Sequence, residues 1–152
     1  MKTAAVLGLV TFMLLNTASA HADFKGCYER VYDKRYLKQH RKQDIIKIRL
    51  QLGVGKGTNG PFELLDRVDA GFRKRPIYQG NLIECKTVGD ELKCFIEADG
   101  GTFTVTDRGE NSLRITNDSY INFGDDEGKF IVQGKGEHKE FRLYRISESS
   151  CP

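Results

Sequence analysis

Two alternating runs, residues 81–88 and 91–98, flank the dipeptide Gly89-Asp90, and each carries one cysteine at the same distance from it. A Gly-X dipeptide between alternating runs is the turn of a tight two-residue hairpin. With Gly89 and Asp90 as the loop, Val88 falls opposite Glu91, Thr87 opposite Leu92, Lys86 opposite Lys93 and Cys85 opposite Cys94. Pairs alternate between hydrogen-bonded and non-hydrogen-bonded along such a ladder. Cys85 and Cys94 land on the second kind, whose short Cα separation suits a disulfide. Ile83, Leu92, Ile96 and Ala98 share their face, and Glu84, Lys86, Lys93 and Glu97 take the other, so the bond points inward. Four cysteines allow three pairings. With Cys85 and Cys94 joined, Cys27 is left for Cys151, the two ends of the processed chain. No C-x-x-C spacing occurs and histidine is scarce, so neither a zinc site nor any other metal or cofactor is expected.

The disulfides require an oxidising compartment, and the N-terminus supplies a route to one. Lys2 precedes an uncharged run of 12 residues, AAVLGLVTFMLL, followed by Ala18-Ser19-Ala20. This is the order of a cleavable signal peptide over residues 1–20, with cleavage near Ala20 and a second possible site at Ala22. The run is too short to span a bilayer, and no later one approaches the necessary length. A periplasmic or secreted location follows, with residues 21–152 as a single all-β domain. Asn117-Asp118-Ser119 matches the acceptor pattern for glycosylation, which matters only in a eukaryotic source.

Strand signals dominate the rest. Ile46, Ile48, Leu50 and Leu52 alternate with Lys47, Arg49 and Gln51. Residues 53–61 (GVGKGTNGP) read as a loop and 62–68 as a weaker strand, with Ala70-Gly71 as a turn. Pro76 opens the strand that runs into the cysteine hairpin. Asp99-Gly100-Gly101 turns the chain into Phe103 and Val105, and Leu113 and Ile115 alternate after that. Asn117-Asp118 is a candidate turn into 120–123, and GDDEG at 124–128 leads to Phe130-Ile131-Val132 and a last strand over 141–146. Asp33 can cap a short helix over 34–42, with Tyr36 and His40 on one face. Turns every 8–12 residues predict a small antiparallel barrel or barrel-like meander of about 8–9 strands with one short helix; a two-sheet β-sandwich is the alternative.

No catalytic residues are identified. The histidines are His21, His40 and His138, and no G-x-S-x-G, H-E-x-x-H or P-loop pattern occurs. Asp125-Asp126-Glu127 lacks the spaced ligands of a calcium loop and reads as a solvated turn. Charge is the stronger signal. Residues 21–96 hold 16 Lys and Arg against 10 Asp and Glu, whereas residues 97–152 hold 7 against 11. Lys34, Arg35, Lys38, Arg41 and Lys42 crowd one stretch, with Arg30, Lys47 and Arg49 nearby, and Arg73, Lys74 and Arg75 form a second group. Such groups attract anionic lipid headgroups, an acidic glycan or an acidic envelope protein, and nucleic acid is not expected after export. A solvated face that only keeps the protein in solution is the competing reading.

The opening Gly26-Cys27-Tyr28-Glu29-Arg30-Val31-Tyr32, the central Asp99-Gly100-Gly101 and the closing Phe141-Arg142-Leu143-Tyr144-Arg145 ahead of Cys151 resemble a family of small exported bacterial proteins with no assigned activity. The resemblance implies a bacterial, periplasmic setting and no catalytic residues. Three functions fit the sequence: a non-enzymatic envelope binding protein that engages an anionic partner through its basic face, a lipocalin-like barrel carrying a small apolar ligand, and a glycan-acting hydrolase.

Overall fold

The alternating segments do become strands, and the sheet they form closes on itself. The computed structural model describes residues 24–53, 66–96, 99–124 and 130–151, with backbone alone at 75–79. The signal segment, His21, most of the 53–61 loop, residues 62–65 and the Asp125-Asp126-Glu127 turn lie outside the described residues. Among the described residues there are nine strands: β1 (Gly26–Val31), β2 (Ile45–Leu52), β3 (Arg67–Phe72), β4 (Arg75–Val88), β5 (Glu91–Ile96), β6 (Gly101–Asp107), β7 (Ser112–Asn122), β8 (Ile131–Gln133) and β9 (Glu140–Ile146). One helix, α1 (Lys34–Gln39), joins β1 to β2.

Strands β1 to β7 pair in chain order, all antiparallel. β9 then fits between β7 and β1, closing an eight-stranded barrel and excluding the sandwich. β8 is the additional strand. It pairs with Tyr120, Ile121 and Asn122 of β7, beyond the stretch of β7 that β9 occupies. Alternation explains the core: Ile48 and Leu50, Val68 and Ala70, Phe103 and Val105, and Phe141 and Leu143 are all fully buried. Phe103, Phe123 and Phe141 fill the interior with Ile45, Ile115 and Ile121, so the barrel is packed by its own side chains.

The cysteine hairpin has the register read from its turn, with Cys85 opposite Cys94 and a Cα separation of 4.1 Å. Gly89 has φ 64°, the left-handed value that the turn needs. Cys27 is bonded to Cys151, 124 residues away. That bond fixes the C-terminal segment against β1, which is also where β1 meets β9. Two disulfides are compatible with an extracellular or periplasmic location. No described helix is long and apolar enough to cross a membrane.

Three local expectations are corrected. Ala70-Gly71 is not a turn: both residues lie inside β3, with strands on either side, and the chain turns at Arg73-Lys74 instead. The small side chains suggested a turn, but Ala70 continues the inward alternation of Val68 and Phe72. Asn117-Asp118 is not a turn either. β7 continues through it, and its register against β6 shifts between Gly101 and Phe103, which places extra β7 residues in a bulge. Asn117 is fully buried there and its Nδ2 donates to the Val132 carbonyl at 2.9 Å, so the folded chain offers no glycosylation acceptor at this pattern. The helix, finally, stops at Gln39 rather than Lys42. Asp33 caps it as expected, accepting from the Tyr36 N–H at 2.7 Å.

One row across the outer face depends on a glycine. Glu29, Arg49, Asp69 and Gly80 lie opposite one another on β1 to β4. A Cβ at Gly80 would overlap the Val68 carbonyl oxygen and the Asp69 carboxylate. Asp69 is buried, and burial raises its pKa despite the nearby Arg67 and Arg49.

The two disulfides close loops of very different length, with separations of 124 and 9 residues. On the loop-entropy model the longer one removes about 2 kcal/mol more from the unfolded state. Replacing Cys27 and Cys151 with Ala is therefore expected to lower the urea midpoint more than replacing Cys85 and Cys94. Equal shifts would show that the long bond does not act through the unfolded chain.

Candidate functional site

Strand direction decides where the basic residues gather. β1 ends and β2 begins at one end of the barrel, and the β3–β4 turn lies at the same end because Ile45 pairs with Phe72. The two basic groups, separated by about thirty residues in sequence, thus meet in space. Arg73 joins them. Its Nε donates to the Gln43 carbonyl at 2.6 Å, and its Nη2 to the carbonyls of Leu37 at 2.7 Å and His40 at 2.9 Å. These carbonyls belong to the last turn of α1 and the segment after it, where helical partners run out. A planar guanidinium can reach all three at once. Arg73 is thus occupied in holding α1 to the β3–β4 turn.

The remaining predicted cations divide. Lys34, Arg35, Lys38, Arg41, Lys42 and Lys74 are exposed and form no ion pair with any described residue. Arg75 begins β4, and its side chain lies outside the description. Arg49 and Lys47 are drawn away by Glu29, which accepts from Arg49 Nε at 3.0 Å and Nη2 at 2.6 Å and lies 3.4 Å from Lys47 Nζ. Arg30 stacks between Tyr32, at 5.2 Å, and Tyr144, at 5.7 Å. That stack continues through Tyr36, 5.0 Å from Tyr32, to His40, 3.9 Å from Tyr36 and nearly parallel to it. Burial, with Tyr36 alongside, pushes the Tyr32 hydroxyl up to about 12, although Arg30 pulls it down.

A third element, the turn that precedes the last strand, completes this end, where only the fold places it. The 3₁₀ turn Gly136–His138 between β8 and β9 docks on the α1 segment. Glu137 Oε1 lies 3.1 Å from His40 Nδ1, and His138 Nε2 accepts from the Asp44 N–H at 3.3 Å. His40, the histidine a hydrolase reading would use, thus spends a ring nitrogen on Glu137 and a ring face on Tyr36. Burial lowers the His138 pKa, opposed by Asp44 and Glu137. Among the described residues no three His, Cys, Asp or Glu side chains are placed to hold a metal ion.

Between this turn and the β3–β4 turn lies a cleft of about 370 Å³. Phe72, Phe130, Ile131 and Val132 provide its apolar lining, with Asp44, Arg73, Lys74, Gln133, Lys135 and His138 around them. Lys135 was not singled out in the sequence, where it stands alone among Gly and Glu; only the fold brings it near Lys74. A smaller cavity of about 180 Å³ lies at the opposite end, where Arg145 Nη2 donates to the Tyr28 hydroxyl at 2.8 Å and the Lys25 carbonyl at 2.7 Å. No family model, curated protein or solved structure matches the chain.

Replacing Arg73 with Gln is expected to destabilise the protein by about 1–2 kcal/mol, since carbonyls bonded to a charged donor lose it. Amide exchange should quicken over residues 34–44 and stay unchanged in the cysteine hairpin. Uniform quickening would mean that Arg73 does not act locally.

His138 gives a pH dependence of known sign. Its folded pKa lies below the usual imidazole value of 6.5, so the unfolded chain takes up the proton first. The stability it contributes is complete above 6.5 and is lost as pH falls below it. The His138→Gln variant should lack this component of the acid-side loss in unfolding free energy. An unaltered pH profile would count against it.

Proposed function

We propose that the protein acts by binding, as an exported envelope protein of the periplasm or the cell exterior, and that the basic end of its barrel engages a partner with clustered negative charge. The observation that carries this reading is the set of exposed cations on α1, the segment after it and the β3–β4 turn, with no acidic described residue paired to them. A cation already spent on an internal carboxylate has little to offer a ligand. Among the basic residues around α1 and β2, the ion pairing falls on Lys47 and Arg49, and the cations of α1 are left without an ion pair to any described residue. Arg73 supports the reading in a second way, because it holds the α1 segment in place without using any of the exposed cations. Anionic lipid headgroups, acidic glycans and acidic envelope proteins all present such charge.

The test is retention on phosphatidylglycerol vesicles and, separately, on immobilised heparin. Retention is expected at low ionic strength and should fade as the screening length shortens to about 10 Å near 0.1 M salt. Replacing Lys34, Arg35, Lys38, Arg41 and Lys42 together with Gln should abolish it. If the unaltered protein is not retained on either material at low salt, the cations only keep it in solution.

A further inference from the structure

We propose that the cleft between β8 and the β3–β4 turn is a binding site for a small amphiphilic anion, a carboxylate or phosphate monoester carried on an alkyl chain. This deepens the reading above by naming a ligand for the same end of the barrel, and it rests on that reading for the role of the ligand in the envelope.

The cleft exists because of how the barrel closes. β9 starts at Glu140, and the remaining edge of β7 is taken by the three residues of β8. β8 pairs with β7 alone, so its other edge faces an opening rather than a neighbouring strand. The 3₁₀ turn after β8 crosses to the α1 segment through Glu137 and His138 and bounds the opening. The cleft is thus framed by hydrogen-bonded elements.

Its chemistry is two-sided. Phe72 and Phe130 pack with ring centroids 5.1 Å apart and planes tilted by 45°, and Val132 is buried beside them. Ile131, at the same place, is left 43 % exposed. An isolated exposed isoleucine needs no explanation, but one lining an apolar cleft adds to the surface a ligand could cover. Around that surface stand Lys74 and Lys135, both exposed and unpaired among the described residues. Asp44 is the acidic residue of the lining, against Arg73, Lys74 and Lys135. The balance therefore favours an anionic head, and the apolar lining requires a tail. A volume of about 370 Å³ is at the lower end for a small-molecule site. It suits a single short chain rather than a two-chain lipid. The interior of the barrel is filled by Phe103, Phe123 and Phe141, so the tail lies in the cleft and not along the barrel axis.

The test is calorimetric titration of the purified protein with decanoate and decyl phosphate below their micelle concentrations, beside decanol and inorganic phosphate. One saturable site is expected for at least one of the two anions, and which of them binds identifies the head as carboxylate or phosphate. Decanol and inorganic phosphate should each bind at least tenfold more weakly. The double variant Lys74→Gln, Lys135→Gln and the single variant Ile131→Glu alter exposed side chains and should keep the thermal transition, yet each should weaken the anion at least tenfold. Equal binding of decanol would overturn the anionic head, and equal binding of inorganic phosphate would overturn the apolar contact. No saturation, or variants that bind like the unaltered protein, would remove the site. The fivefold Gln variant of the α1 region should bind the alkyl anion within twofold of the unaltered protein. Loss of vesicle retention with intact titration therefore separates the basic-end reading from the cleft, and vesicle retention by the unaltered protein without saturable titration rejects the cleft alone.

Discussion

Closure of the sheet is the constraint on which the remaining features depend. An open antiparallel sheet of this size would expose unpaired backbone along two long edges. Here β9 pairs with β7 on one side and β1 on the other, and the eight-stranded ring has no such edges. The Cys27–Cys151 bond stands at this last junction, so the chain's distant ends are tied where the ring is completed. Closure also forces economy inside. A ring of eight strands leaves room for little more than its own inward side chains, and Phe103, Phe123 and Phe141 fill it together with the buried Ile, Leu and Val of the strands.

The ring leaves one irregularity, and the candidate site grows from it. β7 has 11 residues and is longer than the stretch that β9 covers. Its far end pairs with the short β8, and the bulge after Asn117 lets the strand change course there. Asn117 sits inside this bend and ties it to β8 through its side-chain amide. Thr104, which accepts from Lys93 Nζ at 2.8 Å, donates to Asp118 at 2.8 Å and steadies the same bend from outside. The cleft beside β8 therefore comes from the length mismatch between β7 and β9 rather than from a loop that happens to stand away.

Electrostatics divide the basic residues into three kinds of work. Arg49 and Lys47 meet Glu29 on the outer face of β1 and β2, where register puts Glu29 opposite Arg49. Arg30 and Arg73 are used for their planar groups, one against tyrosine rings and the other against backbone carbonyls. Of the predicted basic groups, Lys34, Arg35, Lys38, Arg41, Lys42 and Lys74 are left exposed, with no ion pair to any described residue. A charge count along the chain weighs all of them equally, and the fold sorts them by what lies across from each one.

What the sequence determined by itself is local. The Gly89-Asp90 turn with alternation on both sides set the register of β4 against β5, because a two-residue loop leaves one way to pair the flanking residues. Asp33 marked the start of α1, because its carboxylate caps a nearby N–H. Pairing the other two cysteines followed by elimination. Where small or polar residues interrupt a strand without ending it, local signals misled: Ala70-Gly71 and Asn117-Asp118 carry turn chemistry, but Ala70 is paired with β2 and β4, and Asn117 is paired with Phe103 of β6 and donates its N–H to the Lys139 carbonyl, so both strands continue. Tertiary structure alone decided barrel over sandwich, since closure depends on β9 meeting β1 across more than a hundred residues. It alone brought Lys135 and the Gly136–His138 turn to the basic end, and it alone gave Arg73 carbonyls to hold. Those contacts join residues distant in the chain, and no spacing within a single segment encodes them.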